Sequence, residues 1–284
     1  MKTVGRQNEL EHVSACLRAK KNVLIEGPVG VGKTHLALAA TEAFKLPVYR
    51  IDGDSRYSEQ KLSGWFDPPT VLKKGFCEES FIAGPLVEAM RSGGVVFINE
   101  LNRLPEGVQN VLLPAIDERV ISVPKLGAIK AVENFIVIAT QNPKEFVATS
   151  HLSEAILDRF ELIVLDYQNE EEEAKIVSLS KNISYTEKRL DICETAVRLA
   201  RLTRQHQAVR RGASVRAAIS VAELAAAFMQ TGHSFENAIL SAAILALPTR
   251  IELEHTVENV ETDAHKSIRS LIEEWVDAAL KKKG

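Results

Sequence analysis

Long apolar runs are missing from this chain. None of its segments approaches the roughly 20 apolar residues that a membrane-spanning helix requires, so no membrane association is expected. The opening residues, MKTVGRQNELEHV, lack the apolar centre of a secretory signal. Cysteine is scarce: Cys16, Cys77 and Cys193 are an odd, scattered set without CxxC spacing, which fits a reducing cytoplasm. An excess of positive charge is absent too. The formal net charge is −3 and the pI about 6.2, a balance that argues against a nucleic-acid partner unless a local patch supplies one. Internal repeats and low-complexity linkers are not found, and glycine and proline are not in excess.

What remains is the composition of a globular protein, 45% hydrophobic and 26% charged over 284 residues, enough for one large domain or two. Five compact, almost continuously apolar runs read as strands buried on both faces: 22–27, 47–52, 94–99, 134–140 and 161–167. Segments such as KTHLALAATEAF and PEGVQNVLLPAIDE carry apolar residues at helical spacing between them, so an α/β fold with a mostly parallel five-stranded sheet is expected. After Tyr167 the texture changes to a polar, helix-rich segment without another convincing strand. This divides the chain into a core at 1–167 and an all-α domain of four or five helices at 168–284. Glu170 to Glu173 would fill the first turn of a helix, where the helix dipole favours them.

The sequence GPVGVGKT, from Gly27 to Thr34, satisfies GxxxxGK[ST] and stands directly after a strand and before a helix. Gly27, Pro28, Val29, Gly30, Val31 and Gly32 would wrap backbone N–H groups around a phosphate, helped by the helix N-terminus. Lys33 would neutralise the β- and γ-phosphates and Thr34 would bind magnesium. GxGxxG spacing is absent, which excludes a dinucleotide fold, and no NKxD-type guanine reader appears, which disfavours a small GTPase. The strand VVFIN then ends in Asn99 and Glu100, where a pair of acids would be expected.

The order of FIAGPLVEAM, NELNR, IATQNP, LSEAILDRF and GASVRA after the phosphate loop resembles the AAA+ ATPases and, within them, the MoxR-like family. The resemblance implies a P-loop AAA+ αβα core followed by a helical lid, with ATP and Mg2+ as ligands. It implies Glu100 as the group that polarises the attacking water, Asn142 as a first sensor and Arg159 as an arginine finger reaching a neighbouring subunit. Arg216 would be a second sensor carried by the lid, and Val4, Gly5 and Arg6 part of the segment against adenine. The partners implied are further copies in a ring, expected to be a hexamer, and a client complex or a separately encoded von Willebrand factor A domain protein. The work implied is chaperone-like remodelling, activation or maturation of partner complexes in the cytoplasm.

Other expectations accompany these. Arg198, Arg201, Arg204, Arg210 and Arg211 are expected on a solvated or subunit-facing surface. ERVISVPKLGAIKAVENF is expected to form a hairpin before the fourth strand. SEQKLSGWFDPPTVLKKGFCEESF would form an insertion with Trp65 and Phe66 in a loop beside Pro68 and Pro69, either gripping a client or folding back on the core. The family pattern has Asp where this chain has Asn99. Asn keeps one carbonyl acceptor but loses a charge that is worth roughly 4 kcal/mol at about 4 Å and an effective dielectric of about 20, before solvation reduces it. Weaker metal affinity is expected rather than its loss. Two rivals to a remodelling ATPase stay open: a nucleotide-gated scaffold that turns over feebly, and a nucleic-acid motor or loader.

Overall fold

A computed structural model describes the backbone of residues 3–142, 152–183, 188–254 and 261–281, and their side chains outside 261–267. The chain divides into two compact units, Met1–Asp166 and Tyr167–Gly284.

The first unit opens with α1 (Gln7–Arg18), β1 (Val23–Glu26), α2 (Lys33–Ala43) and β2 (Val48–Asp52). An excursion follows, made of α3 (Glu59–Ser63), β3 (Gly64–Phe66), α4 (Pro68–Lys74) and β4 (Phe81–Ala83). The chain then returns through α5 (Pro85–Ser92), β5 (Val95–Asn99), α6 (Glu106–Asp117), β6 (Val120–Val123), β7 (Gly127–Lys130), β8 (Ile136–Gln141), α7 (Glu154–Leu157) and β9 (Glu161–Val164). Strands β2, β5, β8, β1 and β9 lie side by side in that order, and all four pairings are parallel. The expected sheet is therefore present, each strand within two or three residues of its sequence boundary.

The apolar runs explain the layers. Val95, Val96, Phe97 and Ile98 of β5 are all fully buried, as are Val137, Ile138 and Ala139 of β8, because helices cover both faces of a parallel sheet. On one face Val96, Ile98, Val137 and Ala139 pack with Leu86, Met90, Val108 and Leu112 from α5 and α6. Each such aliphatic side chain contributes about 1.5–3 kcal/mol on burial. This core fixes the carboxyl ends of the strands, where parallel α/β sheets bind their ligands.

The insertion departs from expectation. Trp65 and Phe66 are not in a loop but in β3, which pairs antiparallel with β4, and Pro68 starts α4 with Asp67 as its N-cap. Prolines suit the first helical turn because its N–H groups have no helical partner. Phe66 folds inward against Phe76 and Phe81, whereas Trp65 is 43% exposed. The expected hairpin is β6 with β7.

The second unit contains α8 (Glu170–Ser178), α9 (Arg189–Gln205), β10 (Val209–Arg211), α10 (Val215–Gln230), α11 (Phe235–Ala246), β11 (Glu252–Leu253) and α12 (Glu261–Lys281). Residues 184–187, ahead of α9, lie outside the described residues. Alanines line the buried faces of α10 (Ala217, Ala218, Ala222, Ala225) and α11 (Ala238, Ala242, Ala243), which lets the two helices approach closely. The unit is helical, but not without strands: β10 and β11 form an antiparallel ribbon interrupted by a bulge at Val209 and Arg211. Two or three residues bearing Arg and Glu give no apolar strand signal.

The basic run is also corrected. Arg204 is nearly buried, bonded to Glu173 at 2.7 Å and to the Ala213 carbonyl at 2.6 Å, with its guanidinium 3.8 Å from the Tyr167 ring centre. Arg201 joins the same Glu173 at 3.4 Å and donates to the Gln168 carbonyl. Glu173, one of the expected first-turn acids, is 1% exposed. Its neighbour Glu172 closes a capping box with Asn169, so only part of the acidic run serves the helix end. Arg210 and Arg211 reach Glu252 across the ribbon.

Candidate nucleotide-binding site

Gly27 to Gly32 form the turn between β1 and α2. Gly30 and Gly32 have φ of +80° and +93°, a region that L side chains rarely adopt, and Gly32 is the N-cap of α2. At Gly27 a Cβ would stand 2.3 Å from the carbonyl oxygen of Leu165, so the loop is seated against the chain that follows β9. A Cβ at Gly32 would meet nothing within 4 Å: the loop is open on that side. Lys33 lies over the turn and donates to the carbonyl oxygens of Gly27 at 2.6 Å and Pro28 at 2.9 Å. Val31 points into the core, and its carbonyl accepts from Arg6 at 3.3 Å. Arg6 also bonds Glu9 and the carbonyl of Asp166, so the segment containing Val4 and Gly5 is tied to this turn by a guanidinium.

The carboxyl end of β5 meets this loop. Asn99 Oδ1 accepts from the hydroxyl of Thr34 at 3.2 Å and from that of Thr140 at 3.2 Å, which joins three segments distant in sequence. Asn99 Nδ2 donates to Asp52 Oδ1 at 3.0 Å. The guanidinium of Arg50, bonded to both oxygens of Asp52 (2.7–3.1 Å), holds that carboxyl below the usual carboxylate range, with a smaller contribution from the Asn99 amide.

Glu100 follows in the left-handed region, φ 61° and ψ 58°, which costs a residue with a side chain about 1–3 kcal/mol. Its N–H donates to Thr140 Oγ1 at 3.0 Å, and its carboxylate pairs with Arg103 at 3.0 Å. The glycine after Asp52 makes this arrangement possible. Gly53 N donates to the Asn99 carbonyl at 2.7 Å, and a Cβ on Gly53 would come within 2.1 Å of the Glu100 carbonyl oxygen.

The other expected residues fall at different places. Asn142 follows β8 and is buried; its carbonyl accepts from Asn102 at 3.5 Å. Pro143 lies outside the described residues. Arg159 bonds Asp117 at 2.9 Å and the Ala155 carbonyl at 2.7 Å. Arg216 is exposed in the first turn of α10, in the second unit. Arg6, expected only as part of the N-terminal segment, is the residue that ties it down; the sequence reading missed Asp52, Gly53 and Thr140. Only the Asp-Gly pair closing β2 hinted at any of them.

An open, glycine-rich turn with an ammonium over it fits a polyphosphate. The hydroxyl of Thr34 and the amide oxygen of Asn99, 3.2 Å apart, are hard oxygen donors that fit a magnesium ion directly or through its water.

Comparison with known proteins agrees with this geometry. Residues 22–160 match the AAA domain of the dynein-related subfamily. An uncharacterized protein of Staphylococcus epidermidis is 30% identical over 221 residues, covering 77% of this chain and 83% of the relative. One of Staphylococcus aureus USA300 is 30% identical over 206 residues, covering 72% and 78%. Among solved structures, a Cytophaga hutchinsonii protein with a suggested ATPase function is 22% identical. It has a TM-score of 0.51, and the match covers 99% of this chain and 91% of that one. The RuvB Holliday junction branch migration motor of Thermotoga maritima is 18% identical, with a TM-score of 0.57 over 85% and 70%. At these identities the solved structures speak for the fold alone. Taken with the 30% relatives and the site just described, the match over 22–160 means that this chain belongs to the AAA+ ATPases, with an AAA domain of the dynein-related subfamily.

Proposed function

We propose that this chain is a MoxR-like ATPase that binds ATP with Mg2+, hydrolyses it within a ring of its own copies, expected to be a hexamer, and uses the cycle to remodel or mature partner protein complexes. The observation that carries the reading is the junction of Thr34 with Asn99 at 3.2 Å, with Lys33 over the loop and Glu100 next along the chain. Lys33 and the loop N–H groups hold the phosphates. Thr34 and Asn99 would hold the ion, which when bound offsets negative charge on the phosphate oxygens. Glu100 takes up the proton of the attacking water, and Asn142 orients that water. Arg159 acts on the site of the adjacent subunit, and Arg216 senses nucleotide from the lid. Val4 and Gly5 contribute to the adenine side. A separately encoded von Willebrand factor A domain protein or a client complex is the partner, in the cytoplasm.

Phosphate release by the purified chain tests the enzyme reading. Lys33→Ala should abolish ATP binding, and Glu100→Gln should bind ATP while losing about 10²–10⁴ of the rate. A chain that binds ATP but turns over in no divalent metal overturns the reading. The remodelling reading is tested by capture with Glu100→Gln in ATP; recovery of its own subunits alone removes it. Asn99 favours one alternative, a scaffold that assembles on ATP and hydrolyses it feebly. Comparing rates in Mg2+ and Mn2+ for the chain and for Asn99→Asp separates the two, since robust turnover with Asn99 in place leaves no room for the scaffold.

A further inference from the structure

We propose that Asp52 is a positioning residue of the ATP site: it turns the Asn99 amide so that its carbonyl oxygen faces Thr34, and it supplies from β2 the carboxylate that β5 lacks. The inference rests on the ATP and Mg2+ reading above and names a residue outside the expected site.

The placement follows from register. Asp52 and Asn99 are direct partners in the parallel β2–β5 pair. Beyond them the strand ends are clamped, since Gly53 N–H bonds the Asn99 carbonyl and no side chain fits between Gly53 and Glu100. The two side chains must therefore meet, and they do so at 3.0 Å.

The orientation follows from donor and acceptor chemistry. An Asn side chain can be turned over, exchanging its oxygen and nitrogen. Two of its three partners, Thr34 and Thr140, are hydroxyls, and a hydroxyl can donate to an oxygen or accept from a nitrogen. The third is an ionised carboxylate, which only accepts. Asp52 therefore selects the NH2 group for itself and leaves Oδ1 on the side of Thr34, where an electron pair is useful to a cation. Arg50, bonded to both Asp52 oxygens, fixes the carboxylate in turn. The unit at work is thus a chain of four side chains, Arg50, Asp52, Asn99 and Thr34. The acid normally placed at 99 is moved one strand outward, behind an amide that relays its orientation.

The test is the affinity of the full chain for a fluorescent ATP analogue, with Mg2+ and with EDTA, for the unmodified protein, Asp52→Asn, and the exchange Asp52→Asn with Asn99→Asp. Asp52→Asn should reduce the Mg2+-dependent gain in affinity about 10-fold or more, the usual range when a metal ligand loses its orienting partner, and leave the EDTA affinity unchanged. The exchange should restore the gain, because the carboxylate then stands on β5 and an amide on β2 can donate to it. Asp52→Asn without effect, or with equal loss in Mg2+ and EDTA, overturns the positioning role, as does an exchange that fails to restore while its EDTA affinity is intact. Failure of the unmodified chain to bind the analogue in either condition would instead overturn the ATP reading, and this inference with it.

Discussion

Replacing Gly53 by alanine should separate two strand ends that now touch. The added Cβ would lie 2.1 Å from the carbonyl oxygen of Glu100, 3.0 Å from its carbonyl carbon and 3.1 Å from the carbonyl oxygen of Asn99. All three are backbone atoms, so no side chain can swing away, and the strand ends must part by about 1.3 Å, from 2.1 Å to 3.4 Å, to reach ordinary contact. Such overpacking costs about 1–3 kcal/mol. Stretching the 2.7 Å bond from Gly53 N–H to the Asn99 carbonyl adds about 1 kcal/mol. The total, about 2–4 kcal/mol, corresponds to roughly 4–16 °C in the melting temperature of a unit this size. On the proposed ATPase reading, the larger effect falls on chemistry. Asn99 and Glu100 shift together, and a misplacement of about 1 Å at a reacting centre costs on the order of 10²-fold in rate. Phosphate release at saturating ATP and thermal unfolding measure both. Gly127→Ala is the control: its φ is +101° but a Cβ there meets nothing within 4 Å, so it should carry a backbone cost and leave the rate intact. A Gly53→Ala protein with unmodified rate and melting temperature would refute the clamp, and would show that β2 slides past Asn99 without consequence.

Other expectations concern the second unit and the ring. Glu173→Gln should destabilise the second unit by about 3 kcal/mol, because Arg204 would be left nearly buried without its anion. Urea unfolding followed by the buried Trp275, in a Trp65→Phe background that removes the other tryptophan, reads this directly, and a loss below about 1 kcal/mol would contradict it. Under the proposed ring, Arg159→Ala and Glu100→Gln should each be inactive alone but recover part of the ATPase rate when mixed, since a mixed ring would contain sites with both groups intact. A mixture no better than the sum of its components would argue against action between subunits.

The sheet was legible because strands buried on both faces leave an unbroken apolar run, and 94–99 became β5 with a single residue trimmed. The turn between β1 and α2 was legible because three glycines and Lys-Thr occur at fixed spacing next to a strand. Short strands were not. Trp65 and Phe66 gain their extended conformation from pairing with 81–83, and β10 gains its from residues some 40 positions later. Asp52 escaped notice for a similar reason. Its partner is set by the register of β2 on β5, and nothing near Asp52 in sequence announces it. Glu173 looked like one more acid at a helix start, yet its burial is decided by Arg204, a full helix away.

The alanines of α10 and α11 bear on how this protein can change. A run such as AAISVAELAAAF looks permissive, since alanine is small, common and chemically mute. Here the missing methyl groups set the spacing between two helices, and Ala218, Ala222, Ala242 and Ala243 are each 1% exposed or less. Growth at any one of them has no free volume to enter, and costs about 1–3 kcal/mol unless a facing residue shrinks with it. The plainest stretch of the sequence is thus among the least free to drift, and substitutions there should arrive in compensating pairs.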